Sequence, residues 1–157
     1  MTEKALTIKY KEYTNLDSLS EADKELMLRA IAATDGAYAP YSGFHVGAAL
    51  RLADGNIVMG NNQENVAYPS GLCAERTALF AASAQRPEMR DYAALAIAGR
   101  DIAGELCEAS PCGACRQVML EYEQQQGHPL RVLCLQQGGA VREVSSVADL
   151  MPFSFSM

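Results

Sequence analysis

The chain has 157 residues, of which 49% are hydrophobic and 20% charged, a balance typical of a globular protein rather than a disordered one. Its formal net charge is −6, and lysine and arginine do not cluster along any segment, which argues against a nucleic-acid partner because phosphate neutralisation supplies most of that affinity. No apolar run approaches the roughly 20 residues of a membrane span, and the first residues are polar, so we predict a single cytoplasmic domain over residues 1–157 without a membrane partner.

The first pattern along the chain lies in residues 5–13, where apolar and polar side chains alternate as they do in a short strand. This segment belongs to an N-terminal extension, residues 1–15, to which we assign no catalytic role. Two interpretations remain open for it: an edge strand of a sheet, or an arm that contacts another subunit.

The next elements are a helix and a hairpin. Ser20, followed by acidic residues, is typical of a helix start, and an apolar stripe continues from there to Gly36. Residues 44–53 read as a largely buried strand and residues 56–61 as a second strand. The Asp54-Gly55 pair between them is a strong hairpin signal, so the two strands are predicted to pair.

The second half of the chain alternates helical and strand patterns. We predict helices after Cys73 and over 112–126, strands at 92–99, 130–135 and 141–144, and a loop over 100–110. Together with the hairpin, this order predicts an α/β protein with three layers, α/β/α, around one mixed and mostly five-stranded sheet.

Three cysteines have a pattern that zinc coordination explains better than chance does. Cys73 follows a turn cluster and precedes strong helix formers, while Cys112 and Cys115 open the second helical pattern three residues apart. Helix N-termini favour thiolate over thiol, which is the form that a metal binds. Three protein ligands leave a fourth tetrahedral position for water, which distinguishes catalytic zinc from closed structural zinc.

Two charged residues next to the first cysteine extend this hypothesis. Glu75 lies two residues after Cys73 and could take a proton from water activated by zinc and pass it on. Three thiolates on a dication carry a net charge of about −1, which opposes that activation. Arg76 is therefore a candidate to offset the charge.

A non-catalytic alternative uses another cysteine. If Cys107 supplied a fourth sulfur, the zinc would be closed and Glu75 would be only an acid favoured by the helix dipole. The offset from Cys107 to Cys112 fits no common zinc-knuckle spacing, so we favour the open site.

Asn62 and Glu64 follow the second strand of the hairpin with one residue between them, so in extended backbone both side chains point the same way. A carboxamide beside a carboxylate suits a pair of neighbouring sugar hydroxyls, because one donates and accepts while the other only accepts. A solvated polar loop is the alternative interpretation of the same spacing.

Several of these segments together resemble the cytidine deaminase family, specifically its small branch that acts on free nucleosides. The resemblance is carried by Cys73-Ala74-Glu75-Arg76-Thr77-Ala78, by Pro111-Cys112-Gly113-Ala114-Cys115, and by residues 41–50 and 62–65. It runs in order from about Leu16 to Phe155, nearly the whole chain.

The resemblance implies hydrolytic deamination of cytidine and 2′-deoxycytidine in pyrimidine salvage, with one Zn²⁺ per chain and Glu75 as the catalytic acid and base. It further implies that Phe44 packs on the pyrimidine ring, that Asn62 and Glu64 hold the ribose, and that backbone groups near Ala74 hold the base edge.

In this family the sites are completed across the subunits of a homotetramer. The resemblance therefore implies that Tyr68 and Phe155 reach a neighbouring subunit's site. The nearest enzymatic alternative is a deaminase of another aminopyrimidine nucleoside, such as an antibiotic of the blasticidin type.

Overall fold

The computed structural model describes residues 1–88 and 90–155, and these residues form one mixed sheet with helices on both faces. The helices are α1 (Glu21–Ala33), α2 (Ala74–Gln85) and α3 (Gly113–Gln126). The strands are β1 (Tyr10–Tyr13), β2 (His45–Leu52), β3 (Ile57–Asn61), β4 (Tyr92–Arg100), β5 (Leu106–Cys107), β6 (Arg131–Leu135) and β7 (Val141–Val144).

The sheet has the strand order β1-β7-β6-β4-β2-β3, and β5 pairs with the end of β4. The β4 and β6 strands run parallel, whereas the other pairs are antiparallel. β4 lies in the interior of this order and is the continuous apolar run of the sequence, as expected for a strand covered on both faces.

The predicted layering is confirmed, but the count of mostly five strands is wrong, because seven strands pair within the described part of the chain. One extra strand is β5, which falls inside the segment predicted as a loop. Its two residues pair with Gly99 and Arg100, and so short a pairing leaves no alternation to detect in the sequence. The other extra strand is β1.

β1 is an edge strand formed by the N-terminal segment. Tyr10 pairs with Val144 and Tyr13 with Val141, so the segment extends the sheet beyond β7. The Tyr13 hydroxyl also donates to Glu143 at 2.7 Å. Of the two interpretations of this segment, the edge strand is the one observed for Tyr10–Tyr13.

Two apolar clusters fill the spaces between the layers. α1 packs on one face of the sheet through Leu26, Met27 and Ala30, whereas α2 and α3 pack on the other face. α2 approaches β3 so closely that a Cβ atom on Gly60 would lie 2.4 Å from the backbone nitrogen of Ala78. A glycine in this strand therefore lets α2 lie this close to β3, since any side chain there would push the helix away.

A network of charged side chains links α1 to the sheet, on the face opposite α2 and α3. Arg131 donates to Asp23 at 2.9 Å and to Glu143 at 3.0 Å, and Glu143 is only 2% exposed. Burial opposes ionisation of both carboxyls, yet hydrogen bonds, chiefly from Arg131, lower the pKa of Asp23 and of Glu143 below their usual values. Folding therefore favours the ionised form of both groups.

Within the described ranges, no helix combines the length and the apolar character that a membrane crossing demands.

Candidate active site

The first predicted metal ligand lies at the start of α2. Cys73 is the N-cap residue of this helix, and its side chain makes no capping hydrogen bond, so the sulfur is available to a ligand. The preceding turn at Tyr68–Ser70 directs the chain into the helix, as the turn cluster in the sequence predicted. The close approach of α2 to Gly60 holds this helix start against the sheet.

The other two cysteines lie at the start of α3. Cys112 is the N-cap residue, and Cys115 is buried in the first turn, so both sulfurs are on one side of the helix start. The Sγ atom of Cys112 is 3.9 Å from that of Cys73 and 3.5 Å from that of Cys115. Two helix starts thus converge, as predicted, on one cluster of sulfur atoms.

The geometry of this cluster fits zinc. A tetrahedral ion with bonds of about 2.3 Å to sulfur requires sulfur atoms about 3.8 Å apart. All three Sγ atoms lie within 4.8 Å of one another, and the two measured separations bracket the required value. Cys73, Cys112 and Cys115 would therefore hold the Zn²⁺ without a large rearrangement.

Electrostatics around Cys73 favour the thiolate. A hydrogen bond from the Cys115 thiol, with further contributions from Arg76 and Cys112, lowers the pKa of Cys73 to about 5. The Nη2 atom of Arg76 lies 3.7 Å from the Cys73 sulfur. The structure therefore places Arg76 where the sequence hypothesis needed a compensating positive charge.

Glu75 lies in the first turn of α2 with only 3% of its surface exposed. Burial is the main cause that raises the pKa of Glu75, to about 7, and the nearby Cys73 thiolate contributes in the same direction. A carboxyl group held near neutrality can both accept and donate a proton at physiological pH. Sequence spacing alone predicted its proximity to Cys73 but not its burial.

A cavity of about 260 Å³ opens beside the sulfur cluster. Its wall is shared by residues from both helix starts, from β2 and from the loops around them: Ser42, Phe44, Val46, Asn62, Glu64, Cys73, Glu75, Ala109, Ser110 and Cys112. This volume is enough for one small organic ring with polar substituents and is lined by the predicted ring-packing residue, Phe44, and by the predicted acid, Glu75.

Phe44 forms the apolar side of the cavity, and β4 supports it. A Cβ atom on Gly99 would lie 3.0 Å from the Cζ atom of the Phe44 ring, so the ring rests directly on the glycine backbone. The flat face needed to pack on an aromatic base is thus held in place from behind.

Asn62 and Glu64 both face the segment that carries Phe44, as the extended spacing predicted. The Asn62 side chain accepts from Val46 N at 2.8 Å and donates to Phe44 O at 2.9 Å. Glu64 accepts from Tyr41 N at 2.9 Å and from Ser42 N at 3.3 Å. These side chains are not merely solvated loop residues, because they hold the cavity wall together.

The remaining candidates, Ala74, Tyr68 and Phe155, are not among the residues that line this cavity. Ala74, at the first position of α2, is fully buried, and the first-turn amides there lack helical acceptors. Tyr68 lies in an adjoining cavity of about 240 Å³, which also contains Arg76, and its ring meets Tyr41 edge to face. Phe155 lines neither cavity and is 73% exposed.

Cys107 is not part of the sulfur cluster. It lies on β5 opposite Gly99, and the metal-competent group among the described residues consists of Cys73, Cys112 and Cys115. The structural-zinc alternative therefore loses its fourth ligand.

Some cavity residues were missed by reasoning from the sequence. Ala109 and Ser110 contribute to the wall, as do Ser42 and Val46, which lie inside a motif that the resemblance included without assigning either of them a role. All four lie within two or three residues of Phe44 or Cys112, but no residue type or spacing among them indicates a place in the wall.

Zinc deaminases are the class of enzyme that uses such a site, with cysteine ligands on two helix starts and a glutamate that is not a ligand. The fold and the site together assign this chain to that class.

Comparison with known proteins specifies the family. The model for the cytidine and deoxycytidylate deaminase zinc-binding region matches residues 20–126. A cytidine deaminase of Halalkalibacterium halodurans is 47% identical over 100 residues, which are 63% of this chain and 71% of that protein. A cytidine deaminase of Sporosarcina psychrophila is 41% identical over 133 residues, or 85% and 90% of the two chains.

A solved structure agrees with these sequence relatives. The crystal structure of cytidine deaminase from Burkholderia pseudomallei is 44% identical and superposes with a TM-score of 0.72, covering 83% of this chain and 97% of that one. The chain belongs to the cytidine and deoxycytidylate deaminase family of zinc-dependent hydrolytic deaminases.

Proposed function

We propose that this protein hydrolyses cytidine and 2′-deoxycytidine to the corresponding uridines with release of ammonia, in the salvage of pyrimidines. The observation that carries the proposal is the burial of Glu75 in a cavity that also contains two of the three clustered sulfurs. A structural zinc site has no use for a carboxyl group in that position, whereas a hydrolytic site requires one.

The proton transfers fall to Glu75. Zinc held by Cys73, Cys112 and Cys115 supplies a Lewis acid that makes water nucleophilic near neutral pH. The Glu75 carboxylate accepts the proton that the attacking water loses and delivers it to N3 of the base. Once the water oxygen is bonded to C4, the Glu75 carboxylate accepts the proton of the new C4 hydroxyl and delivers it to the amino group, so the bond from C4 to the amine breaks, a C4 carbonyl forms and ammonia leaves. A pKa near 7 suits both directions of transfer.

Recognition of the base falls to Phe44 and the start of α2. The Phe44 ring covers one face of the pyrimidine, since it forms the apolar wall of the cavity. Backbone groups near Ala74 face the base edge, where unpaired first-turn amides are available as donors.

Recognition of the sugar falls to Asn62 and Glu64. Both side chains line the cavity, and their spare hydrogen-bonding positions match neighbouring hydroxyls. A neutral nucleoside also suits the acidic character of the chain, because it needs no basic patch.

We further propose a homotetramer in the cytoplasm, with sites completed by neighbouring subunits. Tyr68 and Phe155 support this, because they are 78% and 73% exposed although both are large and apolar. An adjacent subunit would cover them. A cytoplasmic location suits an enzyme whose substrate is a free nucleoside.

A nucleoside panel followed by ultraviolet absorbance, with ammonia release and zinc content measured on the same sample, tests the proposal. We expect turnover of cytidine and 2′-deoxycytidine by protein that contains about one zinc per chain. Turnover of a blasticidin-type nucleoside with no turnover of cytidine would replace the proposed substrate. Zinc without turnover of any aminopyrimidine would contradict the reaction itself.

A further inference from the structure

The hydroxyl group of Ser42 connects two parts of the cavity wall, Phe44 and Glu64. The Oγ atom of Ser42 donates to Glu64 Oε1 at 2.5 Å and accepts from the backbone N–H of Phe44 at 3.0 Å. Ser42 itself lines the cavity between the aromatic wall and the carboxylate. Its hydroxyl thus lies between the residue proposed to cover the base and one proposed to hold the sugar.

The direction of this hydroxyl is set by its neighbours. The Phe44 N–H occupies a lone pair of Ser42 Oγ, and the hydroxyl hydrogen points at Glu64. The donor is consequently fixed toward the carboxylate rather than free to rotate.

After this contact, the Glu64 carboxylate still has a hydrogen-bond acceptor position free. A carboxylate offers about four acceptor positions, and the Ser42 hydroxyl occupies one on Oε1 while the amides of Tyr41 and Ser42 share Oε2. By this count one position remains, on Oε1. The hydrogen bond from Ser42 is also the main reason why the pKa of Glu64 is lowered, so the acceptor stays ionised.

The Asn62 contacts do not duplicate this arrangement. Asn62 holds the strand backbone at Phe44 and Val46, and Ser42 is not among its partners. Loss of the Ser42 hydroxyl would therefore leave Phe44 anchored through Asn62, while Glu64 would keep only its two backbone donors.

We propose that Ser42 is a positioning residue that aims the free acceptor of Glu64 at a sugar hydroxyl and thereby sets the preference for nucleosides that carry that hydroxyl. The inference depends on the proposed function, because it assumes that Glu64 binds the sugar. It concerns the orientation of Glu64 rather than a direct role of Ser42 in the reaction.

The test compares cytidine with 2′,3′-dideoxycytidine in wild type, Ser42→Ala and Ser42→Thr. We expect Ser42→Ala to lower kcat/KM for cytidine about tenfold through KM, and to leave kcat/KM for the dideoxy substrate within about twofold. Ser42→Thr retains the hydroxyl on an exposed side chain and should restore the preference. A simple loss of structure would instead affect both substrates alike.

A second arm uses Glu64→Ala. In that background Ser42→Ala should change kcat/KM for cytidine by less than about twofold, because the group that Ser42 orients has been removed. Equal losses in both backgrounds, or an unchanged preference in Ser42→Ala, would overturn the role of Ser42 alone. If wild type had the same kcat/KM for both nucleosides, the assumption that Glu64 binds the sugar would be wrong. If wild type turned over neither nucleoside, the proposed function itself would be contradicted.

Discussion

The guanidinium Nη2 atom of Arg76 lies 3.7 Å from the Sγ atom of Cys73, on the same turn of α2. Three thiolates around a divalent ion leave a net charge of about −1, and this hydrogen bond brings a positive charge to one of the sulfurs. The contact also contributes to the lowered pKa of Cys73. Arg76 therefore offsets negative charge at the site where a water molecule must become a nucleophile.

Replacement of Arg76 by glutamine should lower kcat. The amide retains a donor but removes the positive charge, so water activation becomes less favourable, by about tenfold in rate. Zinc content should remain near one per chain. Arg86→Gln is the matched control, since Arg86 follows the same helix and pairs with Asp54 instead. Equal rates for wild type and Arg76→Gln would show that the charge does not matter.

Asn62→Asp should weaken cytidine binding while leaving zinc in place. The substituted carboxylate would lie beside Phe44 O, which now accepts from Asn62 at 2.9 Å, so attraction becomes repulsion and the Phe44 backbone shifts. We expect KM for cytidine to rise about tenfold. Asn65→Asp retains the acceptor that holds Ala67 N and serves as the control. A KM that rises equally in both variants would refute a specific role for Asn62.

Of two serine substitutions of cysteine, only one should change the metal content. Cys112→Ser removes a sulfur from the cluster and should lower zinc content and turnover together. Cys107→Ser leaves the cluster complete and should change neither. Zinc measured by atomic absorption in both purified variants decides the matter, and loss of zinc from Cys107→Ser would revive the structural-site interpretation.

Acid should destabilise the fold by protonating Asp23 and Glu143, the two carboxylates that bind Arg131 between α1 and the sheet. The pKa values of Asp23 and Glu143 are lowered in the folded protein, so their contribution is present above the unfolded values near pH 4 and is lost as the pH falls through the folded values. Denaturant midpoints should therefore drop steeply as the pH falls below about 4.

Glu143→Gln should reduce this acid sensitivity. It should also cost about 1–3 kcal/mol at pH 7, since Arg131 and Tyr13 lose a charged acceptor. Glu105→Gln, on an exposed loop, is the control and should follow wild type. If the denaturant midpoint of Glu143→Gln fell with acid as steeply as that of wild type, groups other than Glu143 would cause the acid sensitivity.

Local sequence signals were sufficient for the elements that carry the chemistry. The helix starts at Cys73 and Cys112 follow turn clusters, and the hairpin at Asp54-Gly55 uses a glycine with φ of +87°. These features depend on neighbours in sequence, so their residues specify them directly.

Long-range contacts could not be predicted in the same way. The pairing of β1 with β7 joins segments about 130 residues apart, and β5 is too short to show a pattern. The hydrogen bond from Ser42 to Glu64 spans 22 residues and depends on how two loops meet. The side chain of Phe155 is exposed in a single chain, so its predicted site contact depends on a neighbouring subunit.

The most direct test of a catalytic rather than structural zinc site is to measure zinc content and cytidine turnover in Glu75→Ala. We expect about one zinc per chain, because the three sulfurs are intact, and a loss of kcat of about 10²–10⁴-fold, because no other group replaces the proton carrier. Glu121→Ala, on the outer face of α3, should match wild type. Full turnover in Glu75→Ala with zinc still bound would contradict the account.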